Sequence, residues 1–154
     1  MPVQIPDILR PDAVKVPLDG TSKRAVIDEL CDLLECHDGV DSIDQLKQTV
    51  WEREDQRSTG IGEGLAIPHG KCRSVSRPAM AIGLPTTPLE FDSIDGRPVE
   101  LVILLASPAD RIAEHIQALG KISRLMSDSS VREKAYHAAD AETLYRLFAD
   151  QVGK

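Results

Sequence analysis

The sequence predicts an α/β fold with a mixed central β-sheet that is flanked by helices on both faces. The predicted elements run strand, two helices, several strands, then three helices, so the strands cluster between helices. The most apolar run, Val99–Ala106, is eight residues rich in Val, Ile and Leu, which is typical of a central strand buried on both faces. Strands and helices do not alternate strictly, and this argues against a dinucleotide-binding sheet.

The predicted strands are short apolar runs bounded by proline, glycine and polar residues. Pro17 indicates that the first strand lies at an edge of the sheet, because proline cannot donate a ladder hydrogen bond. Pro68 restricts the residue before it to extended backbone, which favours a strand there. The predicted strands are Ala13–Leu18, Leu65–Ile67, Met80–Leu84, Leu89–Phe91 and Val99–Ala106.

Apolar residues at helical spacing and polar capping residues predict the helices. The Ser42-x-x-Gln45 pattern is a capping box, and Ser107 with Pro108 at the next position predicts another helix start. The predicted helices run from Thr21 or Ser22 to about Cys36, from Ser42 to about Glu52, from Ser107 onwards, over Val131–Ala138, and over Ala141–Ala149 after the cap Asp140. The helix after Ser107 has a predicted apolar face of Ile112, Ile116, Leu119, Ile122 and Met126.

Composition indicates an ordinary globular protein. The chain of 154 residues is predicted to form one domain, residues 1–154. A formal net charge of −7 argues against a nucleic-acid binder, which normally has a basic face. No apolar run is long enough to enter a bilayer as a spanning helix, and the first residues lack a signal-peptide pattern. The odd number of cysteines, 3, favours a reducing, cytoplasmic location.

The most informative segment is TGIGEGLAIPHG, residues 59–70. It places a histidine, His69, just past the end of a predicted strand, where sheet proteins expose reactive side chains. A neutral imidazole has one free nitrogen lone pair for nucleophilic attack. Glycines allow backbone N–H groups to turn inward and bind an anion. The predicted phosphate cradle is Thr59, Gly60, Gly62 and Gly64.

Less specific interpretations remain open from these residues alone. Glycine-rich loops are mostly plain loops, and His69 could be a surface residue or, with Cys72, a pair of metal ligands. His115, at the margin of the apolar helical face, could be a hydrogen-bonded boundary residue. Arg53 and Arg57 precede the glycine loop and could reach an anion there or simply be solvated charges.

Taken together, these residues resemble the enzyme IIA domains of the phosphotransferase system, fructose/mannitol class, including their nitrogen-regulatory branch. The resemblance covers roughly residues 10–150. It implies an α/β sandwich with a mixed central sheet, and a phosphotransferase component rather than an enzyme acting on a free metabolite. The matching segments are STGIGEGLAIPHG at Ser58–Gly70, FDSIDGRPVELVILLASPAD at Phe91–Asp110 and EHIQALGKISRLM at Glu114–Met126.

The resemblance also implies roles for individual residues. His69 matches the phosphoryl-accepting histidine, and His115 matches a second active-site histidine. Arg53, which lies 16 residues before His69, matches an active-site arginine, with Arg57 as its rival. No cofactor and no metal are implied.

The resemblance further implies protein partners. The donor would be a small histidine phosphocarrier protein, and the recipient either a IIB domain or a regulatory target protein. We favour the nitrogen-regulatory branch over a sugar-transport component. Two other classes stay open: an interaction domain that is never phosphorylated, and a metal-dependent hydrolase that uses His69 and His115.

Overall fold

The computed structural model describes residues 4–35, 37 and 39–150. Within that part of the chain, six helices and six strands form a mixed α/β fold, as predicted. The strands are β1 (Leu9–Leu18), β2 (Gly60–Gly62), β3 (Leu65–Ala66), β4 (His69–Cys72), β5 (Ala79–Pro85) and β6 (Leu101–Pro108). The helices are α1 (Ile5–Ile8), α2 (Lys23–Asp32), α3 (Ile43–Gln56), α4 (Ile112–Met126), α5 (Ser129–Tyr136) and α6 (Ala141–Ala149).

The sheet has the strand order β1-β5-β6-β3-β2, and β4 also pairs with β6. Strand β5 is parallel to β1 and antiparallel to β6, whereas β3 and β4 are both parallel to β6. The predicted mixed sheet is therefore confirmed. Strand β1 lies at one edge, as Pro17 predicted.

Strand β6 is the centre of the core. Every one of its eight residues is buried. Because successive side chains of a strand point to opposite faces, both faces of the sheet must be covered there. Helix α4 packs against β6, α3 against β4, α2 against β5 and α6 against β1. The predicted central strand is confirmed, with a shift of two residues at each end.

Strands β3 and β4 form one interrupted line along β6. Leu65 pairs with Leu101 and His69 pairs with Leu105, so the two segments keep the same register. Pro68 between them has no N–H to donate, but its carbonyl accepts a hydrogen bond from the Leu105 N–H at 3.0 Å. The sequence predicted the first of these segments and missed the second. His69 therefore does not follow the last strand residue; it begins β4.

The predicted capping residues are in place. The Ser42 hydroxyl accepts a hydrogen bond from the Gln45 N–H at 3.2 Å at the start of α3. Asp140 caps α6 in the same way. Helix α3 continues to Gln56, one turn beyond the predicted end near Glu52.

The first long helix is shorter than predicted. Its N-cap is Ser22, as expected, but α2 ends at Asp32. Cys36, where the prediction ended this helix, lies outside the described residues. None of the described helices is long and apolar enough to cross a bilayer.

The predicted helix start at Ser107 is wrong. Strand β6 continues through Pro108, and α4 begins only after Arg111, which is its N-cap. The reason is tertiary pairing: Lys71 and Cys72 of β4 lie beside Ser107 and Pro108 and extend the sheet. A proline is tolerated at this last strand position because no further ladder bond is required of its nitrogen.

The predicted apolar face of α4 is also wrong at its start. Ile112 is 55% exposed and Ile116 is 63% exposed. The buried face is rotated by about one residue, which places a histidine among its apolar members. These buried residues are His115, Ala118, Ile122 and Met126.

The predicted strand Leu89–Phe91 is wrong as well. Leu89 makes one isolated bridge with Val99, through backbone hydrogen bonds of 2.9 and 2.7 Å. The Phe91 carbonyl accepts instead from side chains, the Lys23 ammonium at 3.3 Å and the Ser58 hydroxyl. These side-chain bonds take the place of a strand partner for this segment.

Candidate functional site

Two histidines predicted to act together lie side by side. His69 begins β4 and His115 lies in the second turn of α4, and both elements pack on β6. The centroids of the two imidazole rings are 5.4 Å apart, and the ring planes are inclined by 50°. One phosphoryl group bound to either ring can therefore reach the other.

Hydrogen bonding leaves one nitrogen of His69 available. Its Nδ1 lies 2.7 Å from the Ile67 carbonyl oxygen. Because a carbonyl only accepts, Nδ1 must carry the proton, and the lone pair is then on Nε2. Burial is the largest cause that lowers the pKa of His69, and the Arg53 and Lys71 charges act in the same direction; the Ile67 hydrogen bond opposes them. His69 is thus neutral at pH 7, with a lone pair on Nε2.

His115 is more deeply enclosed. It is buried on α4, and its Nδ1 lies 2.7 Å from the hydroxyl oxygen of the buried Ser107. Burial, followed by the charges of His69 and Lys71, lowers the pKa of His115 to about 4. The second imidazole is therefore also neutral at pH 7.

These pKa shifts predict a specific titration behaviour. Both imidazoles should take up a proton only below the ordinary histidine pKa near 6.5, His115 at about 4, in NMR titrations of the ring C–H signals. The Lys71→Gln variant should move both midpoints to higher pH, because it removes a positive charge that opposes protonation. Arg73→Gln makes the same charge change at an exposed position after β4 and should leave the midpoints in place. Midpoints above 6.5 in the wild type would contradict the prediction.

Both candidate arginines line a cleft beside His69. Arg53, near the C-terminal end of α3, is half-buried, and its Nη1 donates to the Arg57 backbone carbonyl at 2.9 Å. The side chain of Arg57 is exposed. Arg53 is the arginine whose charge acts on the pKa of His69. The cleft is lined by Arg53, Arg57, Ser58, Thr59, Ile61, Ile67, His69, Ile94, Leu119 and Ser123.

The structure brings only Thr59 of the predicted phosphate cradle into the cleft that His69 lines. The Thr59 N–H donates to the Glu54 carboxylate at 2.8 Å, and the Gly60 N–H donates to the Ser58 hydroxyl at 3.0 Å, so both amides are already bonded. Gly62 and Gly64 lie at the other end of the β2–β3 hairpin. That end is about 13 Å from His69, since four residues of β6 separate the two levels.

The glycines have a local role instead. Gly62 and Gly64 have φ angles of 100° and 82°, which side chains rarely adopt, so the hairpin turn requires glycine there. A Cβ on Gly64 would also lie 3.0 Å from the Glu100 carboxylate. These two glycines therefore indicate a tight turn rather than an anion-binding loop.

Sequence reasoning missed one cation at the site. Lys71 lies two residues after His69 on β4, so both side chains point to the same face of the sheet. Its charge acts on both imidazoles, and its exposed ammonium group has no ion-pair partner among the described residues. The period-2 spacing would have indicated this position if β4 had been recognised as a strand.

Exposed isoleucines surround the cleft. Ile61 is 48% exposed and Ile94 is 73% exposed, and both line it. Ile112 and Ile116 on α4 precede two cleft residues of the same helix, Leu119 and Ser123, at helical spacing. We name Ile61, Ile94, Ile112 and Ile116 the isoleucine patch. Apolar groups of this size gathered around a polar site are typical of a protein-binding surface.

The comparisons with known proteins identify the family of the chain. The family model "Phosphoenolpyruvate-dependent sugar phosphotransferase system, EIIA 2" matches residues 7–151. The chain is 32% identical over 149 residues to a nitrogen regulatory protein of Bradyrhizobium diazoefficiens, covering 94% of each chain. It is 32% identical over 142 residues to the PTS system fructose-specific EIIABC component of Bacillus subtilis, covering 92% of this chain and 22% of that much longer protein.

A solved structure has the same fold. The nitrogen regulatory protein IIA-Ntr from Neisseria meningitidis superposes with a TM-score of 0.86 at 30% sequence identity, covering 94% of this chain and 98% of that one. The fold, the family model and the relatives all lead to one family, as the sequence motifs predicted. The chain is a member of the EIIA type 2 family of the phosphoenolpyruvate-dependent sugar phosphotransferase system.

Proposed function

We propose that this protein is a phosphocarrier that accepts a phosphoryl group on His69 from a phosphorylated histidine of a small phosphocarrier protein. The observation that carries the proposal is the pair of neutral imidazoles 5.4 Å apart, with the Nδ1 of His69 bonded to the Ile67 carbonyl. That bond leaves Nε2 as the nucleophile. Family membership and the nitrogen-regulatory and fructose-system relatives support the same function.

The transfer is one in-line displacement. The lone pair on Nε2 of His69 forms the new N–P bond, and the electron pair of the donor's N–P bond returns to the donor imidazole. His69 neither gains nor loses a proton in this step, because its Nδ1–H stays hydrogen-bonded to the Ile67 carbonyl throughout. Since phosphoryl transfer has a loose transition state, the protein acts mainly by positioning groups and stabilising charge.

We assign three side chains to the stabilisation of the phosphoryl oxygens. His115 lies next to the accepting ring, and Arg53 and Lys71 contribute positive charge near it. Together the two cations offset the about −2 charge that a phosphoryl group brings to the site. We assign Lys71 to this role in addition to the residues that the sequence indicated.

The isoleucine patch suits a protein donor. A phosphohistidine held on a folded partner can reach His69 only if the two surfaces dock around the cleft. The patch provides apolar contact area, Arg53 and Arg57 line the cleft, and the exposed Lys71 adds a third positive charge in an otherwise acidic protein. Protein interfaces commonly combine an apolar centre with a polar rim.

We infer a regulatory role of the nitrogen type in preference to sugar transport. The nitrogen regulatory relative is 32% identical over 149 residues, and the IIA-Ntr structure superposes with a TM-score of 0.86 at 30% identity. A fructose-specific EIIA component of Haloferax volcanii, 33% identical over 131 residues, supports the transport alternative. In the transport alternative, a IIB domain would receive the phosphoryl group. In the regulatory case, the phosphorylation state would control binding to a target protein. We infer the cytoplasm as the compartment, because Cys31 and Cys72 are free thiols.

The function is tested by transfer from a purified, phosphorylated histidine phosphocarrier protein. Intact mass measurement should detect one added phosphoryl group, labile in acid and stable in base. Adding a purified IIB domain afterwards distinguishes the branches, since a transport component should pass the group on. A chain that takes no label from the donor would be an interaction domain and would refute the proposal.

Chelation addresses the hydrolase alternative. Among the described residues, no three His, Cys, Asp or Glu side chains are grouped to hold a metal ion. Both reacting atoms are imidazole nitrogens, so the displacement needs no metal. EDTA should leave single-turnover transfer from the already phosphorylated donor unchanged; loss of transfer would support the metal-site interpretation.

Replacing the two arginines by lysine separates their contributions. Arg53→Lys should slow transfer about tenfold to a hundredfold, because a forked guanidinium binds two phosphoryl oxygens and lysine cannot. Arg57→Lys should have little effect, since Arg57 contacts Arg53 through its backbone carbonyl, which the substitution retains. The measurement is single-turnover transfer for both variants. A larger defect at Arg57 would assign the phosphoryl contact to the other arginine.

A further inference from the structure

We propose that Ser107 is a positioning residue for phosphoryl transfer: its hydroxyl donates to Nδ1 of His115 and so keeps the proton of that ring on Nε2, the nitrogen that can reach the phosphoryl group. This inference rests on the proposed function of His69. It assigns a task to a residue whose sequence context had indicated a helix cap.

The geometry around Ser107 fixes which nitrogen of His115 its hydroxyl contacts. Its side chain is buried at the end of β6, and its hydroxyl oxygen lies 2.7 Å from Nδ1 of His115. With Nδ1 bonded, Nε2 is the only other ring nitrogen of His115. The centroids of the two histidine rings are 5.4 Å apart, a distance that a phosphoryl group on His69 would span.

The chemistry of the phosphoryl group requires a particular tautomer. Phosphoryl oxygens accept hydrogen bonds, so His115 can stabilise them only through an N–H. A neutral imidazole has one N–H and one lone pair. If the proton were on Nδ1, Nε2 would direct a lone pair at the phosphoryl oxygens. The Ser107 hydroxyl is fully buried, and Nδ1 of His115 is its only hydrogen-bond partner among the described residues, so its O–H is satisfied only by donating to Nδ1. That donation leaves the ring proton on Nε2, the productive form.

Serine also serves the charged state of the ring. The phosphoryl group would favour protonation of His115, and Nδ1–H would then need an acceptor. A serine hydroxyl offers one donor and two acceptor lone pairs, so it can bond either state. An apolar residue of the same size could bond neither.

The neighbouring charges do not select the tautomer themselves. His69 from β4 and Lys71 from the same strand are the groups that act on the charge of His115. Lys71 also pairs in register with Ser107, so the cation lies on the strand next to the serine. These groups hold His115 neutral, whereas the position of its single proton depends on the hydrogen bond to Ser107.

The test compares Ser107→Thr with Ser107→Val. Both variants add the same bulk to a buried strand position, but only threonine retains the hydroxyl. The first readout is the ¹⁵N NMR spectrum of His115 in the unphosphorylated protein, which reports the tautomer. The second is single-turnover transfer to His69 from a phosphorylated histidine phosphocarrier protein.

We expect Ser107→Thr to retain the Nε2–H tautomer and to transfer within about twofold of the wild type. Ser107→Val should shift the tautomer and slow transfer about tenfold, the effect of one lost hydrogen bond in the transition state. If threonine and valine variants transfer at equal rates, or if His115 keeps Nε2–H without the hydroxyl, the proposal is wrong. If the added methyl group unfolds both, Ser107→Ala against the wild type makes the same comparison.

The two readouts separate this inference from the function on which it rests. If the wild type takes no phosphoryl group, the proposed function fails, and the NMR comparison still decides whether Ser107 sets the tautomer. If the wild type is phosphorylated and the valine variant behaves like the threonine variant, the assignment of Ser107 alone fails.

Discussion

Replacing His69 by alanine should abolish phosphoryl uptake. The substitution removes Nε2 of His69, the nitrogen proposed to attack the phosphorus, and His115 is the only other imidazole beside it among the described residues. His115 cannot substitute, because its ring is buried and, with the Ser107 hydroxyl donating to Nδ1, its Nε2 carries the proton and has no lone pair for attack. The measurement is the mass of the protein after incubation with a phosphorylated histidine phosphocarrier protein.

The matched control for that experiment is His137→Ala. His137 follows α5, its ring is exposed, and its Nδ1 bonds to the Glu133 carbonyl at 2.9 Å, so it lies outside the site. This variant should take label like the wild type. Circular dichroism should show that both variants are folded. Persistent acid-labile label on the His69 variant would show that another histidine is the acceptor.

Replacing Lys23 by methionine should destabilise the fold by about 3 kcal/mol, the low end of the loss expected when one partner of a buried ion pair is removed. The Glu54 carboxylate is 3% exposed and bonds to the Lys23 ammonium at 2.8 Å. It also accepts from the N–H and hydroxyl of Thr59. Without the lysine, a buried negative charge would keep its hydrogen bonds but lose its counter-charge.

A surface ion pair provides the control for this prediction. Lys47 lies 2.7 Å from Asp32, whose side chain is 57% exposed, so water replaces the lost partner. Lys47→Met should therefore cost less than about 1 kcal/mol. The free energy of unfolding of both variants is measured by urea titration. Equal losses would mean that the Lys23–Glu54 pair is no more important than a surface pair.

Local patterns predicted the elements whose neighbours do not compete with them. The apolar run of β6 and the serine cap of α3 each carry their own signal, and both were found. The start of α4 shows the opposite case. Ser107 and Pro108 have the residue types of a helix start, but pairing with β4 extends the strand through them. One sequence alone does not show that β4 lies beside these residues, so the cap pattern predicted a helix start in the wrong place.

The candidate site shows the same contrast between residues with a signal of their own and residues whose position depends on tertiary packing. His69, His115 and Arg53 were singled out together by the resemblance to the enzyme IIA domains, and the structure brings the two histidines side by side with Arg53 in the adjoining cleft. The face of α4 was misplaced because Ile112 and Ile116 count as apolar whether they face the core or a partner. His115, which the sequence placed at the margin of that face, occupies a core-facing position instead. The Thr59 amide, predicted to bind phosphate, donates to the Glu54 carboxylate instead. Sequence spacing does not reveal that contact.

The isoleucine patch exists only in the completely folded chain. Its members come from the β2 hairpin, the loop at Ile94 and helix α4, and the Ile94 N–H is fastened to the Gly60 carbonyl at 3.0 Å. These segments meet only when the chain has reached its native topology. A chain that has not reached this topology would therefore lack the apolar surface proposed to dock the donor, even though its His69 is intact.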